Sequence, residues 1–382
     1  VNTVTLLQVP HLVIGSGCRT QCAQYLASRG VRRAFLVAPP FGVAHAQELL
    51  AGVDAVEVES SIEAEPTVAG FQRILARAQS FQPDAVIGFG GGSAIDVAKL
   101  VAALLSGEQH IHQVFGIGLL QGRTPLLVAI PTTAGTGAEV SPNAILLDEA
   151  DSLKKGVVSP FLVPDAAFVD AELTLSVPPA VTAATGLDAL THCIEAYTNR
   201  FAHPVVDVWA LEGICLIAST LEEAVHTPSS LVAREKMMLG SLYGGLCLGP
   251  VNTAAVHALS YPLGGAFHIP HGHANAILLP HVMHFNLSAA PERFAAVALA
   301  LGAEQQATAH ATALAGTATL WKLIGATGLE MRLSALGVDA SQTAWLAAAG
   351  LGVTRLMKNN PREMNQKDAE RIFASAFCGV PA

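Results

Sequence analysis

Asp188 and His192 stand four residues apart in "GLDALTHCIEAY" (186–197), an otherwise apolar run of good helix formers. On a helix that spacing puts both side chains on one face, where a carboxylate and an imidazole can meet at a common point. Such a pair can ligate a metal, but two donors do not complete a site. More donors cluster in "VHALSYPLGGAFHIPHGHANAILLPHVMH" (256–284), which holds six of the fourteen histidines. His257 lies in a helical pattern expected to end at Pro262 and the glycines at 264 and 265, and His271 follows Pro270 at the start of the next apolar stretch. One carboxylate and three imidazoles would form an open site for a divalent ion such as Fe²⁺ or Zn²⁺, with room for a substrate oxygen. Spacing alone does not show that the four converge.

Two glycine- and threonine-rich stretches offer a different chemistry. In "GFGGGSAIDVAKLVAALL" (88–105) an apolar strand runs into Gly90, Gly91 and Gly92, and Ser93 opens a helix. The first turn of such a helix presents free N–H groups and a favourable dipole to a phosphate. The stretch is neither a "GxGxxG" fingerprint nor a Walker loop. In "IPTTAGTGAEVSP" (130–142), Thr132, Thr133 and Thr136 place hydroxyls beside flexible backbone, suited to a phosphate, ribose or carboxamide. Two loops of this kind at strand ends favour a nucleotide more than either does alone.

The elements that must carry these residues change character near residue 176. Before it, short β-branched runs at 32–38, 54–60, 84–90, 124–133 and 166–170 alternate with helical patterns, which predicts a parallel sheet covered by helices. After it, long Ala- and Leu-rich stretches such as 204–226 and 307–325 carry helical spacing. The expectation is an α/β domain over 1–176 and a helical domain over 177–382, with a cleft between them.

A chain of 382 residues with 51% hydrophobic and 13% charged residues suits two well-buried domains rather than a disordered segment. A net charge of -9 with only 21 Lys and Arg leaves no basic stripe for nucleic acid. The apolar runs are broken before the ~20 residues of a bilayer span, and the N-terminus lacks a secretory pattern. Cysteines at 18, 22, 193, 215, 247 and 378 show no paired zinc spacing and read as reduced core thiols in a cytoplasmic protein.

"GGGSAIDVAK", "PTTAGTGAEVSP", "GLDALTHCIEAY" and "HALSYPLGGAFHIPHGHANAILLPHV" resemble, in order and spacing, the successive signatures of the iron-containing (group III) alcohol dehydrogenases. The resemblance spans nearly the whole chain. It implies a dehydroquinate synthase-like architecture: an α/β dinucleotide-binding domain followed by an all-α metal-binding domain. It places the metal ligands on Asp188, His192, His257 and His271, the pyrophosphate loop on Gly91, Gly92 and Ser93, and the second cofactor loop on Thr132, Thr133 and Thr136. Lys154 matches a lysine that contacts the cofactor ribose. The implied reaction is hydride transfer between NAD or NADP and a small alcohol or aldehyde polarised by one divalent ion, Fe²⁺ or Zn²⁺. A homodimer paired through N-terminal strands within "TVTLLQVPHLVIG" (3–15) is also implied.

Two positions depart from the family pattern. Tyr261 stands where relatives commonly carry a proton-relaying histidine, and a phenol of ordinary pKa near ~10 is a poor neutral-pH shuttle. His268 is the alternative relay on this chain. Pro39 stands where many relatives carry an aspartate that holds the adenosine ribose and repels a 2′-phosphate, so the choice between NAD and NADP stays open. Maleylacetate reductases share the resemblance but typically lack the complete ligand set, and a hydroxyacid–oxoacid transhydrogenase would keep it. A scaffold on a degenerate fold, or a metallohydrolase, would leave the ligands or the nucleotide loops without a use.

Overall fold

A computed structural model describes residues 3–150 and 153–379. The described strands are β1 (His11–Ile14), β2 (Arg33–Val37), β3 (Ala55–Glu59), β4 (Ala85–Gly90), β5 (Gly116–Ile117), β6 (Leu126–Pro131), β7 (Asn143–Asp148), β8 (Leu153–Val158) and β9 (Ala166–Val169). Six form one sheet in the order β1-β9-β6-β4-β2-β3, with every pair parallel. β4, "AVIGFG", is buried throughout, as a central strand covered on both faces must be. Its alternate residues serve opposite layers: Val86 packs with Phe71 and Val97 on one side, while Ile87 and Phe89 pack with Tyr25 and Leu26 on the other. The chain steps outward from β2 to β3 and then returns to β4 on the far side of β2, so the strand order reverses between β2 and β4. In open α/β sheets ligand loops gather at such a reversal.

A second sheet, β5-β8-β7, falls outside the sequence expectation and is not wholly parallel, since β7 and β8 pair antiparallel. Lys154, Lys155 and Gly156 interrupt the apolar alternation in β8, which hides the strand from a pattern search. This sheet is tied to the helix Gly92–Leu104 by a wholly buried lysine. Lys99 Nζ donates to the carbonyls of Ser141 at 2.8 Å and Asn143 at 2.9 Å, while Asp96 accepts from the Ile145 N–H at 3.0 Å. The helix that starts at the glycine loop is thereby bonded to the segment that follows the threonine loop.

Glu139 shares this interior, and burial pushes its carboxyl from 4.5 up to about 7, against a smaller opposing pull from Lys99. Between those values the folded chain keeps a proton that the unfolded chain has released. The stabilisation is therefore present below about pH 4.5 and lost as pH rises through about 7. Glu139→Gln should flatten that part of the stability profile, read as a smaller fall in melting temperature between about pH 5 and about pH 8 than in the parent. An equally steep fall would assign the slope to other groups.

The described residues after 176 contain helices and no strand. The chain divides into two compact units, one of Leu6–Thr133 with Gly137–Ser176, the other holding residues from Val177 onward. Ala134–Thr136 and the described residues before Leu6 group with the helical unit. Within the helical unit, Pro179–Thr198, Pro204–His226 and Leu231–Leu248 pack on one another. Pro204–His226 has the length and apolarity of a bilayer span, contrary to the sequence reading. Its buried residues nevertheless follow one helical stripe, Val206, Ala210, Gly213, Ile217 and Leu221, as expected of a helix packed on one side.

Other expectations also change. Pro262 does not end its helix, which continues from Ala255 to Phe267 with Pro262, Leu263, Gly264 and Gly265 buried, so tertiary packing overrides the lost N–H. Cys215 and Cys378 are exposed rather than core residues, because each lies on the outward side of its helix; the other four cysteines are buried. The N-terminal stretch contributes only the short β1, hydrogen-bonded to β9.

Candidate metal centre and cofactor loops

Three helices build the centre. Asp188 and His192 lie on Pro179–Thr198, His257 on Ala255–Phe267, and His271 opens His271–Asn286. The last helix meets the first closely at Gly272, where a Cβ would collide with the Ala184 carbonyl and lie 3.2 Å from Asp188 Cβ. Only glycine permits that approach, and it sets His271 beside Asp188.

The Nε2 atoms of His257, His271 and His192 lie 3.5, 3.8 and 3.9 Å from Asp188 Oδ1. Donor atoms of Asp188, His192 and His257 all lie within 4.8 Å of one another. The rings of His192 and His257 stack with centroids 4.7 Å apart. Asp188, His192 and His257 are buried, whereas the His271 side chain is 24% exposed, so the cluster opens on the His271 side.

Two residues that the sequence reading passed over complete the arrangement. Glu195 Oε2 lies 2.6 Å from His257 Nδ1, and Oε1 accepts the Val256 N–H at 2.6 Å. Its carboxylate assigns the proton to Nδ1 and turns the Nε2 lone pair toward Asp188, the usual outer partner of a ligating imidazole. The signal was available: Glu195 is seven residues after Asp188 and three after His192, on the same helical face. Asn275, one turn after His271, donates through Nδ2 to Asp188 Oδ1 at 2.7 Å. The same nitrogen lies 3.1 Å from His257 Nε2 and 3.3 Å from His271 Nε2. A single donor group thus finds three acceptor atoms aimed at one point, which is the donor set a divalent cation requires.

Electrostatics agree with that reading. Burial alone would raise the Asp188 carboxyl, but the imidazoles of His192, His271 and His257 hold it well below the usual range. Burial lowers His192, whereas His257, flanked by Glu195 and Asp188, is raised despite its burial. Buried carboxylates next to imidazoles keep the negative charge that a cation would meet.

Tyr261 is brought to this centre, its ring 6.0 Å from that of His271. Burial raises its phenol above 10, only partly offset by Arg355. His268 is not brought there. It is the exposed cap of the Ala255–Phe267 helix, in a left-handed conformation at φ 54°, and no hydrogen bond, ion pair or ring contact joins it to the cluster among the described residues.

The cofactor candidates sit at the carboxyl ends of adjacent strands. Gly90 has φ 151°, and a Cβ there would lie 2.8 Å from Ala94 and 3.0 Å from the Pro39 ring, so Pro39 after β2 packs on the β4 turn. The Thr132 N–H donates to the Gly90 carbonyl at 2.9 Å, and a Cβ on Gly91 would sit 3.3 Å from Thr133 Oγ1. The glycine loop, with Gly91, Gly92 and Ser93, thus abuts Thr132 and Thr133. Ser93 Oγ donates to the Ala64 carbonyl at 2.5 Å, which leaves backbone N–H groups of the helix's first turn for an anion. Thr136 groups with the helical unit. Lys154 is no surface lysine: its side chain is 5% exposed and pairs with Glu65 at 2.6 Å.

Residues 10–171 match the model of the iron-containing alcohol dehydrogenases, and residues 182–377 match the C-terminal domain of the Fe-containing alcohol dehydrogenase family. The chain is 34% identical over 387 residues to the probable alcohol dehydrogenase EutG of Escherichia coli, covering 98% of this chain and 95% of that protein. A crystal structure of 1,3-propanediol oxidoreductase superposes with a TM-score of 0.95 at 32% identity, covering 98% of this chain and 100% of the other. Sulfoacetaldehyde reductase from Bifidobacterium kashiwanohense, solved in complex with NAD⁺, superposes with a TM-score of 0.89 at 27% identity over 99% of both chains. With both halves matched and the ligand residues converging, the chain belongs to the iron-containing alcohol dehydrogenase family and is an alcohol/aldehyde oxidoreductase.

Proposed function

We propose that this protein is a metal-dependent, NAD(P)-linked alcohol dehydrogenase or aldehyde reductase acting on a small alcohol or aldehyde. The observation that carries the reading is the approach of three imidazole Nε2 atoms to one buried carboxylate oxygen, with Glu195 fixing His257 from behind. Asp188, His192, His257 and His271 hold one divalent ion, Fe²⁺ or Zn²⁺, which supplies Lewis-acid polarisation of an oxygen. Nicotinamide supplies the hydride chemistry. Gly91, Gly92 and Ser93 hold its pyrophosphate on backbone N–H groups, while Thr132, Thr133 and Thr136 hydrogen-bond the sugar or carboxamide. Lys154, already paired with Glu65, contributes positive charge on the ribose side. Pro39 offers no carboxylate to repel a 2′-phosphate, so the cofactor is NAD or NADP.

Tyr261 walls the open side of the centre beside His271 rather than relaying protons, since its raised phenol holds its proton through the neutral range. Tyr261→Phe should change KM severalfold while leaving the pH profile of kcat between about pH 6 and about pH 9 unchanged. A displaced profile would assign the relay to the hydroxyl.

The six free cysteines support a cytoplasmic setting. A homodimer is supported by β1, which among the described residues is an edge strand paired with β9, and on which Ile14 is 51% exposed. The test is elemental analysis of the purified protein with NADH and NADPH oxidation against an aldehyde panel, before and after chelation. About one Fe or Zn per chain, and turnover lost on chelation and restored by metal, is the expected result. Turnover that persists without metal would overturn the proposal in favour of a maleylacetate reductase-like reaction.

A further inference from the structure

Away from the candidate metal cluster, the helical unit holds a cavity of about 420 Å³, within the range of small-molecule sites. It is bounded by the far end of the His271–Asn286 helix, the start of Ala309–Ala326 and the Gln366–Cys378 helix. His281, which lines it, lies ten residues and therefore about 15 Å along the helix from His271.

His281 is 1% exposed, yet neither ring nitrogen has a hydrogen-bond partner among the described residues. Burial, with His284 nearby, lowers its pKa to about 4, so the ring is neutral and offers one donor and one acceptor. Its ring meets Trp321 edge-on at 5.2 Å, and no use in the proposed reaction accounts for it. A buried imidazole left without partners is costly, and a site that keeps one needs something to satisfy it.

The mouth of the cavity carries the complementary charge. Arg362, exposed, donates through Nη1 to the Phe285 carbonyl at 2.7 Å and lies 4.0 Å over the Phe285 ring. These contacts hold the guanidinium in place while Nε and Nη2 make no hydrogen bond among the described residues, leaving the edge that grips a carboxylate with two parallel bonds. The other arginine at the mouth, Arg371, is already paired with Asp368.

We propose that this cavity is a second ligand site, distinct from the metal centre, that takes a small carboxylate bearing a hydroxyl or keto oxygen. The carboxylate sits on the Nε and Nη2 edge of Arg362, and the second oxygen reaches His281.

Trp321 provides the reporter. In metal-loaded protein carrying Trp209→Phe and Trp345→Phe, titration with lactate, without nicotinamide, should give a saturable change in Trp321 emission. Arg362→Gln should weaken the apparent Kd about tenfold or more, as loss of a charge-assisted bidentate contact does. His281→Phe should abolish the response; because that position is buried, exposed Arg362→Gln carries the test if the variant does not fold. Methyl lactate, which lacks the charge, should not saturate. A response that fails to saturate, that is unchanged by Arg362→Gln, or that inorganic phosphate produces more tightly than lactate, would overturn the proposal and leave a water-filled cavity or an adventitious anion.

Discussion

Asp188→Asn should reduce metal affinity by more than about 100-fold, beyond the 10–100-fold typical of outer partners, with turnover falling in parallel. Asp188 is the one anion among the four proposed ligands, and all three Nε2 atoms lie within 4 Å of its Oδ1. The substitution keeps the volume and one oxygen while removing the charge that offsets a divalent ion. Asn275 Nδ2 keeps a hydrogen-bond acceptor at that oxygen, so the fold should survive, with far-ultraviolet circular dichroism unchanged. Equilibrium dialysis against Zn²⁺ measures the affinity directly. Retained stoichiometric metal at micromolar Zn²⁺ would move the site elsewhere.

Glu195 carries the second large effect, acting on the proposed centre through His257 Nδ1 and not through a metal-facing atom. Glu195→Gln should lower metal affinity about 10–100-fold, since a neutral amide no longer compensates positive charge on His257 or assigns the proton to Nδ1. Glu195→Ala should lose more. It also strands the buried Val256 N–H and the His257 Nδ1–H, at a cost of about 1–3 kcal/mol for each unsatisfied group. Comparing the two separates roles: a purely structural residue would show Gln equal to the parent in metal affinity and only Ala impaired. Stability should be measured by denaturant unfolding on metal-free protein, so that lost metal is not counted as lost packing.

Much of this site was legible in sequence. The i to i+4 spacing of Asp188 and His192 settles their common face as soon as the segment is helical, and 179–198 is helical throughout. Glu195 obeys the same rule but stays hidden from a spacing argument, because a lone glutamate in a helix is usually solvated and only its exposure of 4% marks it as a partner. His268 and Tyr261 show the opposite limit. Both stand near His271 in sequence, yet the helix runs through Pro262 and ends in a left-handed cap, which leaves Tyr261 inside and His268 in solvent. Lys154 was legible only by resemblance, since β8 breaks its own apolar alternation.

The sequence by itself determined the local matters: which segments are strands of a parallel sheet, which are helices, and which side chains share a helical face. Those follow from periodicity and backbone sterics within a few turns of chain. Tertiary structure alone decided that His257 and His271 meet Asp188, that Thr133 abuts Gly91, and that Lys99 binds Ser141 and Asn143. Each of those joins residues far apart in the chain, and what brings them together is the packing of buried faces, with approaches as close as Gly272 on Ala184 that no spacing rule encodes.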